Sequence, residues 1–175
     1  MRRALLALGG LLVLIGGLYA WPERYDPTLV ILPEGYRGPL VVIFDQPDGD
    51  PAVREGGRRR LRADSSGVVE TAFPPTFGRV DEVYVSERPE GRCLYPPAPV
   101  DVADRYPLCS DSIRVWLKGT GSLGAGPDAI PFANGYVGTV ADAESLRTGA
   151  LPYAPVEIIR RRMGLPPGPP GTPPT

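Results

Sequence analysis

Histidine is absent from this chain, lysine occurs once (Lys118), and asparagine and glutamine occur once each (Asn134, Gln46). Without an imidazole, a Ser-His or Cys-His nucleophile pair is excluded. Serines such as Ser110 and Ser112 have only Lys118 or a carboxylate to take their proton. Zinc is disfavoured too, because two cysteines leave only carboxylates to complete a tetrahedral set. No metal and no cofactor is implied. A charge excess is also missing: 19 basic and 20 acidic residues leave a net charge of −1. No overall field draws the molecule to nucleic acid. The scarcity of Asn, Gln, Cys and Met fits a heat-tolerant source and fits coding bias equally.

Proline and glycine are plentiful. Their 23 and 22 residues exceed a quarter of the chain but are spread between runs rich in Val, Ile and Tyr, a distribution that suits short strands joined by turns. Arg2 and Arg3 precede an uncharged, Leu-rich run from Ala4 to Ala20, closed by Trp21 and Pro22-Glu23-Arg24. Positive charge ahead of an apolar stretch holds the N-terminus in the cytoplasm and sends the rest of the chain across the membrane. A run of about 17 residues fits both a short span and a long signal core. Leu18-Tyr19-Ala20 departs from the small-x-small cleavage pattern, and Tyr19 and Trp21 suit an interface. The expectation is therefore a single-pass signal anchor on residues 4–20, with cleavage and secretion as the alternative. No Cys lies near residue 20 to carry a lipid.

The exported part reads as strands. Thr28 to Leu32 is an apolar run, Pro33 to Gly38 a turn-rich loop, and Leu40 to Phe44 a run suited to a strand covered on both faces. Gln46 to Gly57 is a polar loop, and Leu61 to Phe73 looks like a hairpin around Asp64-Ser65-Ser66-Gly67. In Val80 to Glu87, Val83 and Val85 are expected inside and Glu82, Tyr84 and Ser86 outside. In Ile113 to Lys118, Ile113, Val115 and Leu117 oppose Arg114, Trp116 and Lys118. Thr139 with Asp142 makes a capping-box start for a helix ending at Gly149, and Pro155 to Met163 suits a second helix before Gly164. The tail from Leu165 to Thr175 reads as extended and solvated. The expected fold is mostly β, an antiparallel sandwich or open barrel of transthyretin-like or immunoglobulin-like type. An N-terminal apolar helix and one or two short C-terminal helices complete it. The expected divisions are 1–24, 25–164 and 165–175.

Cys93 and Cys109 bracket a proline-rich stretch and pair most simply as one disulfide, worth about 3 kcal/mol in the chain-entropy model. Asp45, Asp48 and Asp50 share a turn, but their spacing does not match the twelve-residue calcium loop. Arg58, Arg59, Arg60 and Arg62 form a candidate anion-binding patch, and Arg160 to Arg162 another. The plainer role for these is a charged strand edge and a helix C-terminus.

Leu32-Pro33-Glu34-Gly35-Tyr36-Arg37-Gly38-Pro39, followed by Val41 to Phe44 and later by Tyr136-Val137-Gly138-Thr139, resembles a family of small bacterial exported domains of unknown function. Its signature looks like Pro-Glu-x-Tyr-x-Gly, a strand, and a late Val-Gly-Thr before a short helix, a likeness spanning about residues 28 to 148. Many similar proteins carry a lipid-attachment Cys that this chain lacks. The resemblance implies a domain and a compartment, not an activity. In the motif, Gly35 and Gly38 suit turn dihedrals, and Tyr36 is expected to keep its hydroxyl in water. A second likeness, to carboxypeptidase-regulatory modules, concerns fold alone. Together these features suggest a non-enzymatic envelope module whose partner is a membrane, an envelope protein or an anionic polymer. A carboxylate-dependent hydrolase acting on wall polymers is the alternative.

Overall fold

The apolar runs Thr28 to Leu32 and Leu40 to Phe44 form strands as expected, yet the two enter different sheets. The computed structural model describes residues 27–75, 81–98 and 107–168. One sheet holds Thr28–Leu32 (β1), Arg54–Glu55 (β3), Arg58–Arg62 (β4), Glu82–Arg88 (β6) and Gly91–Tyr95 (β7), in the order β3-β4-β1-β6-β7. The other holds Gly38–Ile43 (β2), Val68–Glu70 (β5), Pro97–Ala98 (β8), Arg114–Leu123 (β9) and Ile130–Gly138 (β10), in the order β5-β2-β10-β9-β8. Helices Val140–Thr148 (α1) and Pro155–Arg162 (α2) come after them.

Both sheets are mixed rather than antiparallel throughout, and neither closes into a barrel among the described residues. β1 runs parallel to both β4 and β6, and β2 runs parallel to β5. Parallel neighbours need a crossover, usually a helix. Here the crossover is a visit to the other sheet: the chain passes from β1 to β2, returns through β3 and β4, leaves again for β5 and returns as β6.

That traffic explains why Leu61 to Phe73 is not a hairpin. The turn itself forms as expected: Asp64 Oδ1 accepts from the Ser66 N–H at 2.8 Å and the Val68 N–H at 3.0 Å. Its arms, β4 and β5, then pair in different sheets. Local turn chemistry fixes the bend, but not the partners of the strands beyond it.

Side chains from both sheets meet in one core that includes Val30, Leu32, Leu40, Val42, Leu61, Tyr84, Tyr95, Val115 and Val137. The outer face of the second sheet carries Val41, Ile43, Val68 and Phe132, and Ile159 of α2 closes over them with no exposed surface. The outer face of the first carries Leu29, Ile31, Val85 and Leu94, also buried. In β6 both faces are thus covered, and the expectation that Tyr84 and Ser86 point to solvent fails: they are 2% and 0% exposed. Strict alternation cannot reveal which side is wet when both are dry.

In the β9 region Val115 and Ile113 face the core as expected, and Trp116 lies on the opposite face. The side chains of Leu117 and Lys118 lie outside what the structure describes. The strand continues to Leu123 and returns as β10, a long Gly- and Pro-interrupted hairpin that breaker residues conceal in the sequence. The register shifts by one residue between Asn134, opposite Gly119, and Gly135, opposite Leu117, as at a bulge. α1 has the expected capping box, with Thr139 accepting from the Asp142 N–H, and Gly149 ends it in the left-handed region. α2 begins at Pro155 as expected, and Gly164 lies just beyond it with φ 64°. Residues 165–168 have no regular secondary structure and lie against α2 rather than free in solvent, with Arg160 Nη1 donating to Pro166 O at 2.8 Å and the Gly168 N–H to Glu157 Oε1 at 3.1 Å. No helix among the described residues is long and apolar enough to cross a membrane. The apolar run 4–20 expected as a signal anchor, the alternative cleavage point at Ala20 and residues 169–175 lie outside those residues.

Cys93 and Cys109 are joined as a disulfide. Cys93 faces inward on β7. The segment ending in Cys109 pairs along that strand, with the Leu94 N–H donating to Pro107 O at 2.7 Å and the Cys109 N–H to Leu94 O at 2.9 Å. Replacing both cysteines by serine is expected to lower the unfolding free energy by about 3 kcal/mol. Urea unfolding of the oxidised chain beside the double variant measures this, and coinciding curves would contradict it.

Candidate functional site

The arginine run does not form one patch. Alternation on β4 turns Arg59 and Leu61 toward the core and Arg58, Arg60 and Arg62 to the other face. Arg59 is 7% exposed; its Nη1 donates to Pro74 O at 2.6 Å, and its guanidinium lies 4.9 Å from the centre of the Phe73 ring. Arg54 approaches the same ring at 5.7 Å. Arg58 pairs with Asp81 at 2.5 Å, and Arg62 with Glu87 at 2.9 Å. Glu87 also takes Arg92, which bonds Glu55 as well. Hydrogen bonds from Arg92 hold the Glu55 and Glu87 carboxyls below their ordinary range, and Arg60 adds its field at Glu55. In the second basic run, Arg162 is engaged by Glu70 and Asp64, and Arg160 by Glu157. Nor is β4 an edge, since the two-residue β3 lies outside it.

The Pro33–Pro39 motif and the distant Tyr136–Thr139 segment do come together. β2 and β10 are antiparallel neighbours with Pro39 opposite Tyr136 and Gly38 opposite Val137. Arg37 reaches across to Asp142 of α1 at 2.7 Å. That carboxylate also accepts from the Thr139 N–H at 2.7 Å and the Thr139 hydroxyl at 2.9 Å. The Thr139 N–H, then Arg37, then the Thr139 hydroxyl hold the Asp142 carboxyl down to about 2. Gly138 has no room for a side chain: a Cβ there would stand 2.7 Å from both Asp142 Oδ2 and the Tyr136 ring.

Tyr36 contradicts the expectation of a wet hydroxyl. Its ring is buried, and its hydroxyl sits against the carbonyl oxygens of Pro39 and Ser66, the latter at 2.9 Å. Burial pushes its pKa up to about 12. The bond to Ser66 ties the motif to the turn between the sheets. It also explains Gly67, whose φ is 80° and whose Cβ would fall 1.9 Å from the Tyr36 hydroxyl.

Around the Arg37–Asp142 pair lies an aromatic corner of which the sequence motifs mark only Tyr136. Trp116 stands opposite Tyr136 on the outer face of the second sheet, and its indole N–H donates to Gly138 O at 3.1 Å. Tyr136 meets Tyr153 edge to face at 6.3 Å, and the Tyr153 hydroxyl bonds Gly135 O at 2.8 Å and Asn134 Oδ1 at 3.1 Å. Arg114 lies opposite Gly138. Alternation places Trp116 on the outer face of its strand, but Tyr153 belongs to an irregular linker with no period to reveal it.

Glu55, Glu87, Asp142 and Glu144 are held low by their hydrogen-bond donors, the reverse of what a general acid needs. Burial raises Glu82, but the Tyr84 hydroxyl occupies its Oε2. No group of three potential metal ligands gathers among the described residues, Asp45, Asp48 and Asp50 included.

Two outcomes test this joint. Gly67→Ala is expected to cost at least about 2 kcal/mol, against about 1 kcal/mol for Gly56→Ala, where φ is also positive but space is open. Equal losses in denaturant unfolding would refute the Tyr36 contact. Because the folded-state pKa of Asp142 is depressed, its stabilisation is present above pH 3.8 and fades as pH falls toward about 2. Asp142→Asn should therefore lower the melting temperature at pH 6 and converge with the parent chain near pH 2. Parallel melting curves across that range would count against the pairing.

Residues 24–91 match the model of a family of unknown function, DUF6843. The match includes Pro33–Pro39 and ends before Tyr136–Thr139, so it is shorter than the 28–148 likeness. The fold is similar to a solved crystal structure described as a "putative lipoprotein from Bacillus anthracis", with a TM-score of 0.53 and 22% identity over 79% of this chain and 93% of that one. At that identity the likeness is one of fold. No curated protein matches the chain.

Proposed function

We propose that the chain is an extracytoplasmic β-sandwich module, tethered to the cytoplasmic membrane by residues 4–20 and serving a non-enzymatic binding or envelope-organising role. The observation that carries this reading is the Cys93–Cys109 bond, since structural disulfides persist in oxidising compartments. The Arg2-Arg3 leader supports the same side of the membrane. Two sheets sharing one core support the sandwich. The similar structure from Bacillus anthracis is described as a "putative lipoprotein", which agrees with an envelope setting. The pairing of arginines with carboxylates favours a module over a catalyst, because these charged groups hold the fold together.

A C-terminal reporter that is active only after export is expected to work when fused to the full chain, and the protein should resist extraction by carbonate. Thiol alkylation of unreduced cells should find both cysteines blocked. Cytosolic reporter activity with both thiols free would overturn the placement. Recovery in the soluble fraction with residues 1–20 removed would replace the anchor by secretion.

A further inference from the structure

Helix α2 covers only part of the second sheet. Its apolar residues close over Val41, Ile43, Val68 and Phe132, near the β9–β10 turn. The opposite corner of the same face carries Trp116, Tyr136 and Arg114, all partly exposed, with the Arg37 side chain 52% exposed beside them. Nothing in the fold claims Arg114 as an ion-pair partner among the described residues; its one hydrogen bond is a long 3.4 Å contact to the neighbouring Ile113 O. This sets it apart from Arg58, Arg62, Arg92 and Arg162, each of which meets a carboxylate. Asp142, the acid at this corner, is occupied by Arg37 and the helix cap. The surface therefore combines partly exposed aromatic rings, a cation with no ion pair among the described residues, and the Arg37–Asp142 pair near Tyr136.

The geometry points to a ligand with flat apolar C–H faces and fixed negative charge: we infer that the Trp116–Tyr136–Arg114 corner binds a sugar polymer bearing carboxylate or phosphate groups. Sugar rings bury their C–H faces on aromatic rings, and a guanidinium meets carboxylate or phosphate through paired N–H donors. A bound peptide would more naturally extend a sheet edge, but the edges here, β5 and β8, are three and two residues long. The inference rests on the extracytoplasmic placement for access to such polymers, while the binding itself is testable in vitro.

The full-length chain in detergent, carrying Trp21→Phe so that Trp116 is its sole tryptophan, is titrated with hexagalacturonate, phosphorylated mannohexaose, neutral mannohexaose and hexaglutamate. A saturable change in Trp116 emission is expected with one or both anionic sugars, and which one responds distinguishes carboxylate from phosphate as the charged group. Arg114→Gln should weaken that binding about tenfold, and Trp116→Phe, followed by calorimetry, should preserve most of it because the ring remains. No saturable response to either anionic sugar at millimolar concentration would overturn the inference. So would equal binding of neutral mannohexaose or hexaglutamate, or an Arg114→Gln variant that is folded by circular dichroism and binds unchanged. The export reporter reads the compartment independently, so either idea can fail alone.

Discussion

The fold depends on one apolar layer shared by two sheets. Val30, Leu32, Tyr84 and Tyr95 from one sheet and Leu40, Val42, Val115 and Val137 from the other bury against each other. At about 25 cal/mol per Å² of apolar surface removed from water, no surface ion pair of this molecule competes with that term. The remaining architecture serves the layer. The chain changes sheets so that successive apolar runs reach it from both sides, and the turn at Asp64–Gly67 makes one of those transfers while Tyr36 grips its carbonyl. The disulfide fastens the segment around Leu108 along β7.

Much of the local structure was legible. Thr28–Leu32, the 33–38 loop, the Asp64 turn, the Thr139–Asp142 box and the Pro155 start of α2 are each specified by residues within a few positions of one another. What failed was long-range. The turn does not encode that β4 and β5 enter different sheets, and alternation in β6 marks two faces without saying that both are dry. The β9–β10 hairpin hides behind glycines that periodicity treats as breaks. Gly121 shows why such a glycine belongs in a strand: a Cβ there would press within 3.0 Å of the Phe132 ring.

The candidate site was legible only in pieces. The Tyr36-Arg37 motif and the Tyr136–Thr139 segment both stand out in the sequence, but their meeting depends on β2 lying beside β10, about a hundred residues apart along the chain. The arginine run misleads for a related reason. Four cations close in sequence occupy opposite faces of a strand, and their counter-charges, Asp81 and Glu87, arrive from residues far along the chain. Arg114, isolated in sequence and conspicuous for nothing, has no ion pair among the described residues and stands beside the aromatic pair Trp116 and Tyr136.

The shuttling of the chain between sheets also bears on folding kinetics. Strands β1 and β6 cannot pair until everything between them has been made, so little native structure rewards a partial chain, and domains rich in such distant pairings fold slowly. If the chain is exported as proposed, that reluctance keeps it pliable during passage and defers collapse to the far side, where the two sulfurs are oxidised once their strands have met.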